Sequence, residues 1–272
     1  MKSAKKPREH QKIAISNAKQ YFGKQSRGKL IMACGSGKTL TSYWIADVLR
    51  ANRIIIIIPS INLQKQTLKT WAEEAKLNNK KYNYLCVCSD ETITEQITID
   101  DATTIPVTTK KEELVYWLKK HKNNETVIFT TYQSADVVIE AVGKTKTIFD
   151  YGVLDECHKT AGDSDKHFSK FLFDENIKIK KRIFTTATEK VYSEKSDDVS
   201  SMDDINIYGK TIYNLSTSEA IKKGILCDYK IITMYSTKDH IRKMIQANPL
   251  IIDKENGLTE KQYLLMISIA FS

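Results

Sequence analysis

The stretch K-L-I-M-A-C-G-S-G-K-T, residues 29–39, decides the fold. Residues 30–33 are an apolar run that breaks into Gly35-Ser36-Gly37. Lys38-Thr39 follows, then Leu40, Trp44, Val48 and Leu49 at helical spacing. Strand, glycine turn, helix is the context in which a phosphate-binding loop works. The glycines leave backbone N–H groups free to face phosphate oxygens, and a helix N-terminus adds partial positive charge. In such a loop Lys38 reaches the β- and γ-phosphates and the Thr39 hydroxyl ligates Mg²⁺. Cys34 lies inside the turn. The strict G-x-x-x-x-G-K-[ST] pattern is not met, because Met32 stands where its first glycine would be. The chemistry indicated is nucleotide binding.

Working outward, P-R-E-H-Q (residues 7–11) precedes the loop, and Ile13, Ala14, Ile15 and Ala18 follow it at helical spacing. Gln11 is suited to read adenine because a primary amide both donates and accepts. Downstream, residues 54–58 are an unbroken isoleucine run closed by Pro59. Such a run describes a strand buried on both faces, as in the middle of a parallel sheet. Ser60 fits an N-cap, and Leu68, Trp71, Ala72 and Ala75 give the next helix its apolar stripe. Further strands are expected at residues 82–88, 126–130, 148–154 and 181–184. Helices are expected around Leu114–Leu118, at 135–142 and around Phe168, Phe171 and Leu172, with an edge hairpin or excursion at 89–109 and a polar segment at 160–166. The repeated alternation predicts an α/β fold, a doubly wound and mainly parallel sheet with helices on both faces. Ligands in such sheets sit beyond the carboxyl ends of the strands, where Lys38, Asp155 and Thr186 converge.

Asp155-Glu156 ends one of these strands. Asp155 is placed to hold Mg²⁺ and Glu156 to take a proton from an attacking water. His158 is placed to sense the γ-phosphate and pass that state to Thr186 and Thr188. His121, His167 and His240 read as surface or packed imidazoles.

Composition narrows the class. The formal net charge of +9 favours a polyanionic partner, nucleic acid above all, although lysine also serves as generic surface charge. No apolar run approaches the roughly 20 residues of a membrane helix. The basic N-terminus leads into no hydrophobic segment, so an intracellular, cytoplasmic location is expected, with nucleus or viral factory as eukaryotic or viral variants. Five cysteines without disulfide-like spacing fit a reducing compartment. Cys86 and Cys88 read as buried thiols, not as half of a metal site.

The set P-R-E-H-Q, M-A-C-G-S-G-K-T, P-S-I-N-L-Q-K-Q, F-T-T-Y-Q-S, D-E-C-H and T-A-T, in this order, resembles the motif series of superfamily 2 helicases and translocases. The resemblance runs from about Arg8 to Lys230 and is nearest to the motor parts of type I and single-polypeptide restriction–modification enzymes. Related helicases of large DNA viruses resemble the stretch around residues 202–230. It implies a RecA-like P-loop domain that binds ATP and Mg²⁺. Arg8, Gln11, Cys34, Gly35, Ser36, Gly37, Lys38 and Thr39 would contact nucleotide; Thr39 and Asp155 would hold the metal; Lys38, Asp155 and Glu156 would catalyse. His158, Thr186 and Thr188 would couple nucleotide to track. Pro59, Ser60, Gln64, Lys65, Thr130, Thr131 and Tyr132 would line a nucleic-acid face contacted through the backbone. The implied track is double-stranded DNA, with RNA left open. Glu189 stands where the family usually has proline, which either weakens backbone binding or alters a turn. Residues 1–225 would form the first RecA-like domain and 226–272 a connector into a truncated second one. The family's second domain supplies arginines that complete the site, so this chain alone is expected to bind ATP and hydrolyse it slowly. The competing readings are a nucleotide-switched binding module without translocation, and a small-molecule phosphotransferase, disfavoured by the basic excess. Cys34 and Cys157, beside the loop and the acidic pair, are expected to react with bulky alkylating agents unless Mg-ATP protects them.

Overall fold

A computed structural model describes residues 3–88, 97–100, 103–163, 168–193 and 199–229. The chain divides after Cys227, and the fold below belongs to Met1–Cys227. Residues 230–272 of the expected connector, His167, His240 and residues 164–166 of the polar segment lie outside the described residues.

The chain opens with α1 (Glu9–Phe22), β1 (Arg27–Met32), α2 (Lys38–Val48), β2 (Arg53–Ile58) and α3 (Ile61–Leu77). After β3 (Asn83–Val87) comes the antiparallel hairpin β4 (Ile97–Asp100) and β5 (Thr103–Ile105), then β6 (Val107–Thr108) and α4 (Lys111–Lys120). β7 (Thr126–Thr131), α5 (Ala135–Thr145), β8 (Phe149–Asp155) and the two-residue β9 (Gly162–Asp163) lead to β10 (Ile179–Thr186). The two-residue β11 (Val199–Ser200), α6 (Ile205–Tyr208), β12 (Lys210–Leu215) and α7 (Thr217–Lys222) complete it.

Eight strands form one sheet in the order β12-β1-β10-β8-β2-β7-β3-β6, and every neighbouring pair is parallel. β8 and β10 insert between β1 and β2, which sets the carboxyl ends of β1, β10 and β8 side by side. The isoleucine run explains how the sheet is buried. Ile54, Ile56 and Ile58 enter the core under α1, α2 and α3, while Ile55 and Ile57 enter the opposite core with α4 and α5. Successive strand residues point to opposite faces, so an unbroken run satisfies both layers. Ser60 caps α3, its hydroxyl accepting from the Leu63 N–H at 3.5 Å.

Two local expectations change. Within the excursion expected at 89–109, the described residues form the hairpin β4–β5, and the strand that follows, β6, joins the main sheet beside β3. The helix expected around Phe168 is a single 3₁₀ turn, Ser169–Leu172. Arg27 Nη1 takes the Leu172 carbonyl at 2.6 Å, and Asp174 accepts from Arg27 Nη2 and Arg182 Nη1, each at 2.7 Å. These bonds draw the chain into the core after one turn.

Arg27 and Arg182 are register partners on β1 and β10, and they share one carboxylate. Arg182 is fully buried; burial and the neighbouring Arg27 push its guanidinium down to about 10 against the pull of Asp174. Removing Asp174 strands that cation. Asp174→Ala is therefore expected to destabilise by about 2–3 kcal/mol, less than for a wholly buried pair because Asp174 is itself well solvated. A fall in urea midpoint at unchanged slope would show it, with recovery in Arg182→Met/Asp174→Ala.

Candidate functional site: the phosphate loop and the D-E-C-H turn

The loop between β1 and α2 depends on two left-handed glycines, Gly35 at φ 77° and Gly37 at φ 93°. Gly37 is doubly constrained, since a Cβ there would lie 2.5 Å from Gln11 Nε2. Ser36 is buried, its hydroxyl donating to the Ala33 carbonyl at 2.6 Å. Cys34 is exposed at the tip, and Lys38 and Thr39 are half-buried where α2 begins. The first N–H groups of that helix have no acceptors within it, so the loop offers donors and partial positive charge together. Lys38 Nζ donates to the Met32 carbonyl at 3.2 Å.

Helix α1 braces the loop from behind. His10 is buried with Nε2 3.0 Å from the Ser36 carbonyl, a support that sequence reasoning missed although His10 adjoins Gln11 on one helix. Gln11 lies against the same loop. It is buried, its carbonyl accepts from the Arg8 N–H at 2.9 Å, and its amide donates to Gly37 O and Thr41 Oγ1, both at 3.3 Å. Both amide protons thus secure the loop. The Arg8 side chain is exposed beside it.

Across the sheet edge, β8 ends at Asp155 and the chain reverses through Glu156 in the left-handed region, φ 49°. For a residue with a Cβ this costs on the order of 1–2 kcal/mol, and it sends the two acids in different directions. Asp155 Oδ1 accepts from Thr185 Oγ1 at 2.6 Å. Burial pushes the Asp155 carboxyl up from its ordinary value; the Thr185 hydroxyl pulls it down, and the charge of Glu156 adds to the rise. Glu156 turns toward the loop, with Oε1 3.8 Å from Lys38 Nζ and Oε2 3.3 Å from His158 Nδ1. His158 Nδ1 also lies 3.0 Å from Thr186 Oγ1, which donates to the Thr188 carbonyl at 2.9 Å. Burial holds the His158 imidazole below its usual value, and Glu156 opposes that effect. Lys38, Glu156, His158, Thr186 and Thr188 thus form one connected series.

The residues expected on a nucleic-acid face separate into two groups. Ser60 is half-buried and Lys65 exposed, so both can be reached. Pro59 is buried, as are Gln64, Thr130, Thr131 and Tyr132. Gln64 Nε2 donates to Phe129 O at 2.9 Å and Val87 O at 3.2 Å, and Thr131 and Ser134 hydroxyls meet at 3.0 Å. Tyr132 stacks on Phe168 and donates to the Asp155 carbonyl at 2.9 Å. Their side chains cannot line a surface; they support it, and Tyr132 steadies the acid-bearing turn directly. Tyr208 gives further support, its hydroxyl 2.9 Å from Thr160 Oγ1, which donates to the Cys157 carbonyl at 2.7 Å. Nothing in the residue types flagged Thr185 or Tyr208; strand register brings in the first, and the packing of α6 the second.

Glu189 is resolved as well. Its carboxylate accepts from Lys29 Nζ at 2.5 Å, so its charge is compensated. Among the described residues no helix is long and apolar enough to cross a membrane.

A family description, type III restriction enzyme, res subunit, matches residues 4–191. The chain belongs to this family. Among curated relatives it is similar to probable helicase A859L of African swine fever virus. One isolate is 26% identical over 92% of this chain and 28% of the relative; another is 27% identical over 85% and 24%. Among solved structures it is similar to the ATP-dependent type ISP restriction–modification enzyme LlaBIII bound to DNA, at 31% identity and TM-score 0.72, covering 95% of this chain and 18% of that one. It is also similar to a nuclease-deletion mutant of the type ISP enzyme LlaGI in complex with a DNA substrate mimic, at 30% identity and TM-score 0.67, covering 89% and 22%. The chain therefore spans about a quarter of the length of the curated relatives it matches. Within the res-subunit family it is a helicase-type motor domain built on the parallel sheet described above.

The two cysteines of the site differ sharply. Cys34 is exposed, whereas Cys157 is fully buried and its thiol is pushed well up by burial. This corrects the expectation that both react, because the reversal at Glu156 turns Cys157 into the core. Maleimide labelling of the native chain, read by mass spectrometry, is expected to modify Cys34 and leave Cys157 untouched until denaturant is added. A second expectation concerns Gly37→Ala, which drives a methyl group into Gln11 at a left-handed position and should abolish binding of a fluorescent ATP analogue.

Proposed function

We propose that this chain is the ATP-binding half of a motor that translocates along double-stranded DNA as part of a longer polypeptide. The observation that carries the reading is Lys38 facing Glu156 at 3.8 Å across the sheet edge, with His158 and Thr186 continuing the series. Its residues fit a magnesium nucleotide. The left-handed glycines Gly35 and Gly37 give the loop the turn that exposes its amides, and Thr39 and Asp155 are the hard oxygen donors that magnesium takes. When bound, the magnesium nucleotide supplies a phosphoanhydride whose charge is partly neutralised.

The remaining work belongs to the chain. Gly35 and Gly37 expose amides toward the phosphates, and Lys38 leaves the Met32 carbonyl to meet negative charge. Glu156 accepts the proton of the attacking water, and His158 passes the occupancy of the site to Thr186 and Thr188. Contacts to the track go to backbone phosphates, over the surface that Ser60 and Lys65 reach and that Gln64, Thr130, Thr131 and Tyr132 support. In this reading residues 1–225 are the first RecA-like domain and 226–272 lead into the second, whose arginines face the site. An arginine supplied in this way is worth about 10³–10⁵ in rate.

Steady-state ATPase of this chain and of the longer polypeptide, with duplex DNA, single strands and RNA in parallel, tests the proposal. Slow turnover with little stimulation is expected for this chain, and strong stimulation by duplex for the longer one. Glu156→Gln should lower turnover at least about 10²-fold while trapping bound ATP. Fast duplex-dependent turnover by this chain alone would remove the need for a second domain. Stimulation by RNA alone would change the track, and failure of the longer polypeptide to displace a roadblock would leave a switch, not a motor.

A further inference from the structure

Lys29 is a buried cation on the strand next to the sheet edge. It sits on β1 opposite Phe184 of β10 and Thr211 of β12, and is 6% exposed. Phe184, Cys157, Met202 and Tyr208, which share its side of the sheet, belong to one apolar cluster. An ammonium in such surroundings costs several kcal/mol unless it is paired and hydrogen-bonded. Lys29 Nζ meets that need twice, donating to Glu189 Oε1 at 2.5 Å and to the Met202 carbonyl at 2.7 Å. These two acceptors lie on the two limbs of one excursion. The limbs are joined by Met202 N–H donating to the Lys190 carbonyl at 3.1 Å and by Tyr192 N–H donating to Ser201 Oγ at 3.0 Å.

The excursion begins at the T-A-T turn. Thr186 Oγ1 holds His158 on one side and the Thr188 carbonyl and N–H on the other, and Glu189 is the next residue. A side-chain bond from β1 therefore fixes the far end of the turn whose near end reads His158. The same strand carries the phosphate loop at its carboxyl end.

We propose that Lys29 and Glu189 are positioning residues that hold the T-A-T turn in register with the phosphate-loop strand, so that a change at the nucleotide reaches Thr186 and Thr188. The inference rests on the ATP-site reading given above. A lysine buried only for packing would leave the turn's response to nucleotide intact when both charges are removed.

Hydrogen–deuterium exchange on this chain, with and without a non-hydrolysable ATP analogue and Mg²⁺, separates the cases. In the unaltered chain the analogue is expected to slow exchange about tenfold or more both at residues 35–39 and at 186–190. In Lys29→Met/Glu189→Gln, which removes both charges together, protection at 35–39 should persist and protection at 186–190 should be lost. Lys29→Arg, which keeps the ion pair, should retain both. If the double variant does not fold, Glu189→Gln alone is scored in the same way, with a partial loss expected at 186–190. Full protection of 186–190 in the charge-free variant overturns the positioning role. No protection at 35–39 in the unaltered chain overturns the ATP-site reading, and the positioning role with it.

Discussion

The site is held together by the hydrogen-bonded register of three neighbouring parallel strands. Leu30 lies opposite Thr185 and Ile31 opposite Thr186, while Thr185 lies opposite Asp155. That single alignment brings a hydroxyl to the first acid, sets the second acid toward the loop lysine, and puts Thr186 within reach of His158. Side chains alternate along a strand, so a slip of one residue in β10 would carry Thr185 to the wrong face and break the contacts of Thr185 to Asp155 and of Thr186 to His158. The burial of both sheet faces makes such a slip expensive, which is how an apolar core enforces a polar geometry at its rim.

Most of the architecture is legible in local sequence because its signals are strong and repeated. The isoleucine run has one good solution, a central strand, and the alternation of strands with amphipathic helices leaves a parallel sheet as the simplest arrangement. What local sequence does not carry is any feature set by a distant partner. The run S-K-F-L-F has the apolar spacing of a helix, yet Arg27 and Asp174 stop it after one turn. β6 is two residues long, and only its neighbour β3 makes it a strand.

The site follows the same division. Its phosphate loop and acidic pair could be placed from residue types and order, since a glycine turn and a strand-end carboxylate announce themselves. Burial could not be read in this way. Thr130, Thr131 and Tyr132 look like polar surface residues, but β7 is inside the sheet and their hydroxyls bond inward. Lys29 reads as a surface lysine flanking a strand, and its burial becomes visible only when the carboxylate of Glu189, 160 residues away in sequence, is seen to meet it. The family departure at position 189 was the available clue, because an acid in place of a proline needs a counter-charge somewhere.

Gln11 carries a consequence for what the loop tolerates beside it. Both of its amide protons are committed, to Gly37 O and Thr41 Oγ1, while its side-chain oxygen accepts from the Arg8 N–H and keeps a second lone pair. A donor arriving there meets that lone pair and leaves the loop intact; an acceptor must first break one of the two bonds that secure it.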